Sequence, residues 1–373
     1  MTTLFAAGYG ATIYTLSFDP SATPPTLQLT SSLTAGNAPT WVCLHPTRPV
    51  LYAVDEFAAP TGLISAFHIS PTDGSLERFS QTPSGGDGPV HLAFSADASR
   101  LYVANYGGAS CASVGVLPNG EFAQAGADEV FRFEGSGPRT DRQEAPHPHG
   151  VYLDPTNAFL FAADLGTDSL KVWAVGGGKM ERLADIAVAA GSGPRHLAFS
   201  QPSHSTTLLY LISELSNEIS VYTVVYPTTT NPSPTLAPLQ LAISVLPTDR
   251  PTTGPWTAAE LGMSPDNKHL FVSNRSPDET KPADGSDVVA VFDVEVDGTL
   301  GAKSEVAVKG LGLRHFSLSP AKKDVSGMEM EGRWVAIGCE KTGEIVMMER
   351  EGGQLNEVAR VGRLARPTVV QWA

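Results

Sequence analysis

The sequence predicts an all-β chain folded as a seven-bladed propeller of four-stranded antiparallel blades. Three observations predict it. An apolar strand, a polar turn and a second apolar strand recur along the chain in one register. A lone strand ends the chain without a local partner, and three strands at its start lack a first one.

The recurring unit reads PTWVCLHPTRPVLYAVDE from Pro39, PVHLAFSADASRLYVANY from Pro89 and PHGVYLDPTNAFLFAADL from Pro148. It returns as PRHLAFSQPSHSTTLLYLISEL from Pro194, AAELGMSPDNKHLFVSNR from Ala258 and LRHFSLSP from Leu313; a last fragment, PTVVQWA, starts at Pro367. The intervals Pro39 to Asp55, Pro89 to Asn105, Pro148 to Asp164 and Ala258 to Asn274 are equal. A third strand follows in each unit: LISAFHI, ASVGVL, SLKVWAV, EISVYTV, VVAVFDV and EIVMMER. Fourth strands are LERFS, RLADIAV, LQLAISV, EVAV and LNEVARV, with turn residues at Thr72–Gly74 and Asp297–Gly298 before two of them. Four antiparallel strands repeating every roughly 45–60 residues are the signature of propeller blades. Alternation of apolar and polar residues is imperfect, as expected where both faces of a blade pack on neighbours.

The orphan strand Val369–Trp372 and the N-terminal strands TLFAAGY, TIYTLSF and LQLTSSL complete one another, so their pairing closes the ring and removes an exposed edge. The whole chain, 1–373, reads as one domain. Three segments depart from the pattern: a Pro/Thr-rich loop at 226–238, a lengthened loop at 276–287 and a charged piece at 321–333.

The formal charge of −14 argues against nucleic acid and against anionic membrane surfaces, both of which call for a basic face. Cys43, Cys111 and Cys339 are widely spaced and odd in number, which predicts neither a disulfide framework nor a zinc site. The N-terminus has no basic stretch followed by an apolar run, and no segment reaches the roughly 18 apolar residues of a membrane span. A reduced, cytoplasmic protein is expected, with its oligomeric state left open.

In a propeller the first strand of each blade lines the central channel, so repeat-equivalent residues form rings about the axis. The residue after the anchor is Thr40, Val90, His149, Arg195, Ala259, Arg314 and Thr368; the next is Trp41, His91, Gly150, His196, Glu260, His315 and Val369. At the end of strand two the ring reads Asp55/Glu56, Asn105/Tyr106, Asp164, Glu214, Asn274/Arg275 and Glu340. Any one of these could be a solvated rim residue. As a set, Arg195, Arg275 and Arg314 with His91, His149, His196 and His315 concentrate cations in a strongly acidic chain. Arginine presents a rigid fork that fits carboxylate and phosphate, and histidine exchanges a proton near neutral pH. Glu214 and Glu260 would orient these groups or tune them. The predicted ligand is a small anion undergoing acid/base chemistry at a carbonyl, with no metal and no cofactor, since a calcium site needs several convergent carboxylates.

PHPHGVYLDPTNAFLFAADLGTDSL (146–170), GPRHLAF (193–199), ISEL (212–215) and AAELGMSPDNKHLFVSNR (258–275) resemble the propeller-type lactonases. These include 6-phosphogluconolactonase-like proteins and the fungal 3-carboxy-cis,cis-muconate cyclases. The resemblance implies that His149, Arg195, Glu214 and Arg275 are the catalytic set. Arg314, in LRHFSLSP, and the RQE segment at 142–144 look more like the lactonase branch, which points to hydrolysis of a small anionic lactone. Trp41, His91, His196, Glu260, His315 and Arg314 are the expected substrate-binding residues. The cyclase reaction is the alternative, and a non-catalytic scaffold of the WD-repeat or kelch type is a second one, although the GH…WD signature of the former is absent.

Overall fold

A computed structural model of the chain describes residues 1–203, 205–229, 232–248, 255–277, 282, 284–321 and 330–373. It contains seven antiparallel sheets, each a blade of four strands and one carrying a short fifth strand, and, among the described residues, no helix. The chain opens with β1 (Thr2–Gly8), β2 (Thr12–Asp19) and β3 (Thr26–Thr34). Blade 1 is β4 (Val42–Leu44), β5 (Val50–Asp55), β6 (Leu63–Ile69) and β7 (Leu76–Pro83). Blade 2 is β8 (Pro89–Phe94), β9 (Arg100–Asn105), β10 (Ser110–Gly115) and β11 (Glu129–Arg132). Blade 3 is β12 (Pro148–Leu153), β13 (Phe159–Asp164), β14 (Ser169–Gly176) and β15 (Lys179–Arg182), with the short β16 (Ile186–Ala187) also on β14. Blade 4 is β17 (Pro194–Ser203), β18 (Thr206–Ser213), β19 (Glu218–Val225) and β20 (Thr235–Ser244). Blade 5 is β21 (Thr257–Met263), β22 (His269–Arg275), β23 (Ser286–Val294) and β24 (Leu300–Lys309). Blade 6 is β25 (Leu313–Leu318), β26 (Trp334–Cys339), β27 (Glu344–Glu351) and β28 (Gln354–Val361), and the chain ends on β29 (Pro367–Trp372).

β29 is the innermost strand of blade 7, which runs β29-β1-β2-β3. Its register sets Leu4 against Trp372, Ala6 against Val370 and Ala7 against Val369. This strand also ties the ring sideways. Trp372 Nε1 donates to Ser317 O of blade 6 (3.0 Å), and Thr368 Oγ1 donates to Thr40 O ahead of blade 1 (2.8 Å).

Each of the seven apolar clusters lies between two neighbouring blades rather than at the centre. Tyr52 and Leu92 join blades 1 and 2, Phe161 and Leu209 join blades 3 and 4, and Phe18, Trp334 and Trp372 join blades 6 and 7. A blade therefore buries both faces, and β5 is buried along its whole length. That is the physical reason the strands lack a clean alternation. The turns between first and second strands take the left-handed backbone at Ala98, Asn157 and Asn267, the residues that follow SAD, DPT and SPD. Buried tyrosines reach across blades to later turns: Tyr52 Oη donates to Gly120 O (2.7 Å) and Tyr210 Oη to Gly298 O (2.8 Å).

Some strands differ from the sequence reading. RLADIAV does not form one fourth strand in blade 3. Arg182 and Lys171 both pair with Asp185, and Arg182 also donates to Leu183 O and Val172 O, which pulls the chain out of the ladder between β15 and β16. Blade 2 gains its outer strand, β11, only after an irregular passage. The predicted loop at 226–238 is shorter, because β20 already begins at Thr235; β23 likewise begins inside the predicted loop at 276–287. Residues 230–231, 278–281 and 283, and most of the 321–333 piece, lie outside the described residues.

Removing Pro367–Ala373 strips blade 7 of its inner strand and leaves β1 as an open edge. The truncated chain is expected to melt more than about 10 °C below the parent or to aggregate, measured by thermal denaturation and size-exclusion chromatography. A truncated chain as stable as the parent would place the closure elsewhere.

Candidate functional site

In blades 2 to 7 the inner strand slips register at the same place. Pro89 pairs with Asn105 and His91 with Ala104, leaving Val90 unpaired; Pro148 and Gly150 leave out His149, and Pro194 and His196 leave out Arg195. Leu313 and His315 leave out Arg314, and Pro367 and Val369 leave out Thr368. In blade 5 the slip spans Ala259 and Glu260. Such a bulge kinks the strand and re-aims the extra side chain. Four of these strands begin with proline, which lacks the N–H that a regular ladder needs there. The result is a ring of side chains released from the sheets into the channel.

A second ring comes from the ends of the second strands. Asp55, Asn105, Asp164 and Asn274 hold loops: Asp55 accepts the N–H groups of Asn37 and Ala38 (both 2.9 Å), and Asp164 accepts that of His147 (2.6 Å). Asn105 Nδ2 donates to Ser84 O (3.3 Å) and Asn274 Nδ2 to Val245 O (2.8 Å). The residues that follow, Glu56, Tyr106 and Arg275, reach the channel instead, as do Glu214 after β18 and Tyr9 after β1.

Together the rings enclose a cavity of about 290 Å³ at one mouth of the channel, lined by Tyr9, Glu56, Val90, Tyr106, Arg142, His149, Glu214, Thr257, Arg275 and Arg314. It narrows to a neck where Thr40, Trp41, Arg195, His196 and Thr368 join Glu56, Val90, His149 and Arg314.

Glu214 is the hub of the mouth. Its Oε1 accepts Arg142 Nη2 (2.8 Å), and its Oε2 accepts Arg195 Nε (2.9 Å) and lies 3.1 Å from Arg275 Nη2. Burial alone would raise its carboxyl, but Arg275, Arg195 and Arg142 outweigh burial and hold it well below the usual carboxylate range. Arg195 is committed further, donating through Nη1 to Ala259 O (2.6 Å). Burial beside Arg275 lowers Arg195 to about 10, so it stays charged at neutral pH.

Arg275 donates through Nη2 to Ala258 O (3.0 Å), while its Nε is buried with no hydrogen-bond partner. Arg314 stacks over Tyr9 at 5.2 Å and faces Glu340 at 3.6 Å. His149 has a buried Nδ1 with no partner. Burial, followed by Arg195, His196, Arg314 and Arg275, holds its imidazole well below the usual range, so it is neutral at physiological pH.

Arg142 was not among the expected site residues, although the RQE segment that contains it was noted. Its neighbours explain its position. Buried Gln143 donates to Leu165 O and to Asp168 Oδ1 (both 2.8 Å) and accepts from Arg139 N (3.0 Å), pinning the loop over the mouth. Glu144 faces His147 Nε2 at 3.0 Å, and His147 stacks flat on Tyr106 at 4.2 Å. Tyr9 was missed as well, although counting register through the closing blade places it where Glu214 stands in blade 4.

Of the expected residues, His149, Glu214, Arg275 and Arg314 meet in the cavity. Arg195, Trp41 and His196 stand at the neck. His91, Glu260 and His315 lie outside both linings. There Trp41 packs on His91 at 4.1 Å and edge-on to His315 at 5.1 Å, and His196 Nδ1 meets Glu260 Oε1 at 2.9 Å. His91 Nδ1 accepts Val151 N–H and His315 Nδ1 accepts Val370 N–H (both 3.3 Å). These residues build a packed floor. Among the described residues no group of three or more His, Cys, Asp or Glu is arranged to hold a metal ion, and no helix is long and apolar enough to cross a membrane.

Residues 2–372 match the family described as "Lactonase, 7-bladed beta-propeller". The chain belongs to this lactonase family. It is 30% identical, over 99% of its length and 88% of the relative's, to an Arthroderma benhamiae protein named "Probable 6-phosphogluconolactonase". It is 27% identical to the 6-phosphogluconolactonase of Bacillus subtilis, covering 90% of this chain and 87% of the relative. Among solved structures, the periplasmic gluconolactonase PpgL of Pseudomonas aeruginosa superposes over all of this chain and 99% of its own, with a TM-score of 0.81 at 24% identity.

Two predictions follow from the charges this lactonase-family propeller buries. Glu214→Gln leaves Arg142, Arg195 and Arg275 without their shared anion and should cost about 3–5 kcal/mol, read as a fall in melting temperature; an unchanged melting temperature would contradict the hub role. The second concerns acid. His91, His149 and His196 are held well below the usual imidazole range, and His315 is lowered to about 4, burial being the first cause in each. The unfolded chain takes up these protons near pH 6.5 while the folded protein does not, so stability falls as the pH drops below about 6.5. His315 alone contributes on the order of 3 kcal/mol by pH 4. Burial raises Glu260, which acts in the opposite sense and offsets part of this. Melting curves between pH 7.5 and 4.5 should show the decline, and a flat series would contradict it.

Proposed function

We propose that this enzyme hydrolyses a small anionic lactone of the sugar-acid type in the mouth cavity. One observation carries the reading. A neutral histidine with an unpartnered Nδ1 and an arginine with an unpartnered Nε line the same cavity, in a chain that is otherwise strongly acidic. The relatives named 6-phosphogluconolactonase support a sugar-acid lactone, and the place of Arg314 in the cavity supports lactone opening over the cyclase reaction.

The lactone's anionic group binds Arg142 and Arg314, and its carbonyl oxygen lies against Arg275. His149, neutral and unprotonated, takes a proton from water as the water oxygen attacks the carbonyl carbon. The oxyanion that forms is stabilised by fixed guanidinium donors in a partly dehydrated space, where such donors act most strongly. Collapse breaks the bond to the ring oxygen and leaves a hydroxy acid. Glu214 takes no part in proton transfer, because three arginines keep it ionised; it positions them. Arg195, bonded to Glu214 and a backbone carbonyl, supports the same frame from below.

The test is proton release on a panel of sugar δ-lactones, phosphorylated and unphosphorylated. His149→Gln should lower kcat by about a hundredfold with little change in KM, and Arg275→Ala should lower kcat and raise KM together. A His149→Gln enzyme with full turnover would remove the base from this assignment.

A further inference from the structure

The opening lactone expels its ring oxygen as an alkoxide, a poor leaving group unless it receives a proton. The geometry points to Glu56 as the general acid that supplies it. This inference rests on the reading of the cavity as a lactone-opening site and adds a catalytic residue to it.

Four side chains line both the cavity and the neck beneath it: Glu56, Val90, His149 and Arg314. They therefore mark the narrow point where a bound ring meets the protein from several sides. His149 stands on blade 3 and Glu56 follows the second strand of blade 1, with apolar Val90 of blade 2 between them and Arg314 on blade 6. The proton acceptor and the carboxyl thus reach the narrow point from different blades.

Glu56 is also unlike the other carboxylates of the mouth. Glu214 holds three arginines, and Glu340 pairs with Arg366 at 2.5 Å and faces Arg314 at 3.6 Å. Among the described residues Glu56 has no ion-pair partner, and its buried Oε2 has no hydrogen-bond partner. Burial raises its carboxyl above the usual range; the neighbouring Thr40 hydroxyl and the Arg314 guanidinium oppose the rise, and Glu340 adds to it. The environment thus favours the neutral form of both groups, an imidazole open to a proton and a carboxyl that tends to keep one. Tyr9 and Tyr106 line the cavity but not the neck, and burial makes both phenols weaker acids than usual.

The step balances. Water adds its oxygen to the carbonyl carbon and its proton to His149. The bond from carbon to ring oxygen breaks, and that oxygen takes the proton of Glu56. The carboxyl group of the product releases its proton to solvent, and solvent returns Glu56 to its acid form as His149 loses the proton it gained. The net change is lactone plus water to hydroxycarboxylate plus one proton.

An acid must carry its proton to act, so the rate should fall as the pH rises through the raised pKa of Glu56. His149 remains neutral throughout that range and adds no limb there. The groups facing Glu56 are Arg314, Glu340 and Tyr9; the arginine stays charged and the phenol stays protonated across the same interval.

The experiment measures kcat and KM against pH for the parent, Glu56→Gln and Glu56→Asp, using D-glucono-δ-lactone and its 6-phosphate, with melting temperatures as the check on folding. Glu56→Gln should lower kcat by about a hundredfold, keep KM within about threefold and lose the alkaline limb. Glu56→Asp should keep a limb, displaced in pH, at an intermediate rate. A parent inactive on both lactones defeats the lactonase reading itself. An active parent with Glu56→Gln within about threefold in kcat, or still showing the limb, overturns Glu56 alone and returns the proton to His149. If Glu56→Gln does not fold, the aspartate variant decides, and a limb at the parental pH overturns the proposal.

Discussion

Four guanidinium groups, those of Arg142, Arg195, Arg275 and Arg314, stand around one channel mouth, and the Glu214 carboxylate is what lets them do so. Like charges about 4 Å apart near a protein surface repel by about 4 kcal/mol per pair, and more where water is excluded. Glu214 turns that repulsion into a frame, taking Arg142 from above, Arg195 from below and Arg275 from the neighbouring blade. The protein's own groups make this frame, so on the proposed reading positive charge is in place where negative charge develops. Arg314 stands partly outside this frame, held by stacking on Tyr9 and a longer approach to Glu340, which leaves its donors the least committed.

The bulges give the frame its depth. A regular inner strand would turn alternate side chains into the flanking blades. Slipping one residue in each of six strands puts consecutive residues on two levels, an upper one with His149 and Arg314 that lines the cavity and a packed lower one with His91 and His315, on which Trp41 of blade 1 packs. On the lower level the histidines are engaged by backbone N–H groups and by Glu260, and the indole of Trp41 packs on them.

The same bulges explain what sequence could and could not show. Blade number, strand order and ring closure were legible because the apolar–turn–apolar unit repeats in register, and His149, Arg275 and Arg314 were legible because they occupy repeat-equivalent places. Depth was not, since adjacent residues such as Arg314 and His315 share a position around the axis and differ only in level. Arg142 has no repeat equivalent; it sits in a long excursion whose path depends on buried Gln143 and Asp168. Tyr9 belongs to the blade assembled from both ends of the chain, where register is counted from a distant strand. Asp185 broke a fourth strand that composition alone made continuous, because its two carboxylate oxygens hold Lys171 and Arg182 at once.

The closing pair β1 and β29 also sets an order of events during synthesis. Residues 2–8 leave the ribosome before any of blades 1 to 6, and their partners, residues 367–372, follow only after those blades have been made. Blades 1 to 6 can each form from neighbouring segments as they emerge, whereas the first three strands must wait with one side of their sheet unsatisfied. Contacts across so long a stretch of sequence form slowly, and an unpaired strand is a template for other chains in the meantime. The nascent chain is therefore most exposed to self-association through β1, and that exposure lasts until β29 arrives.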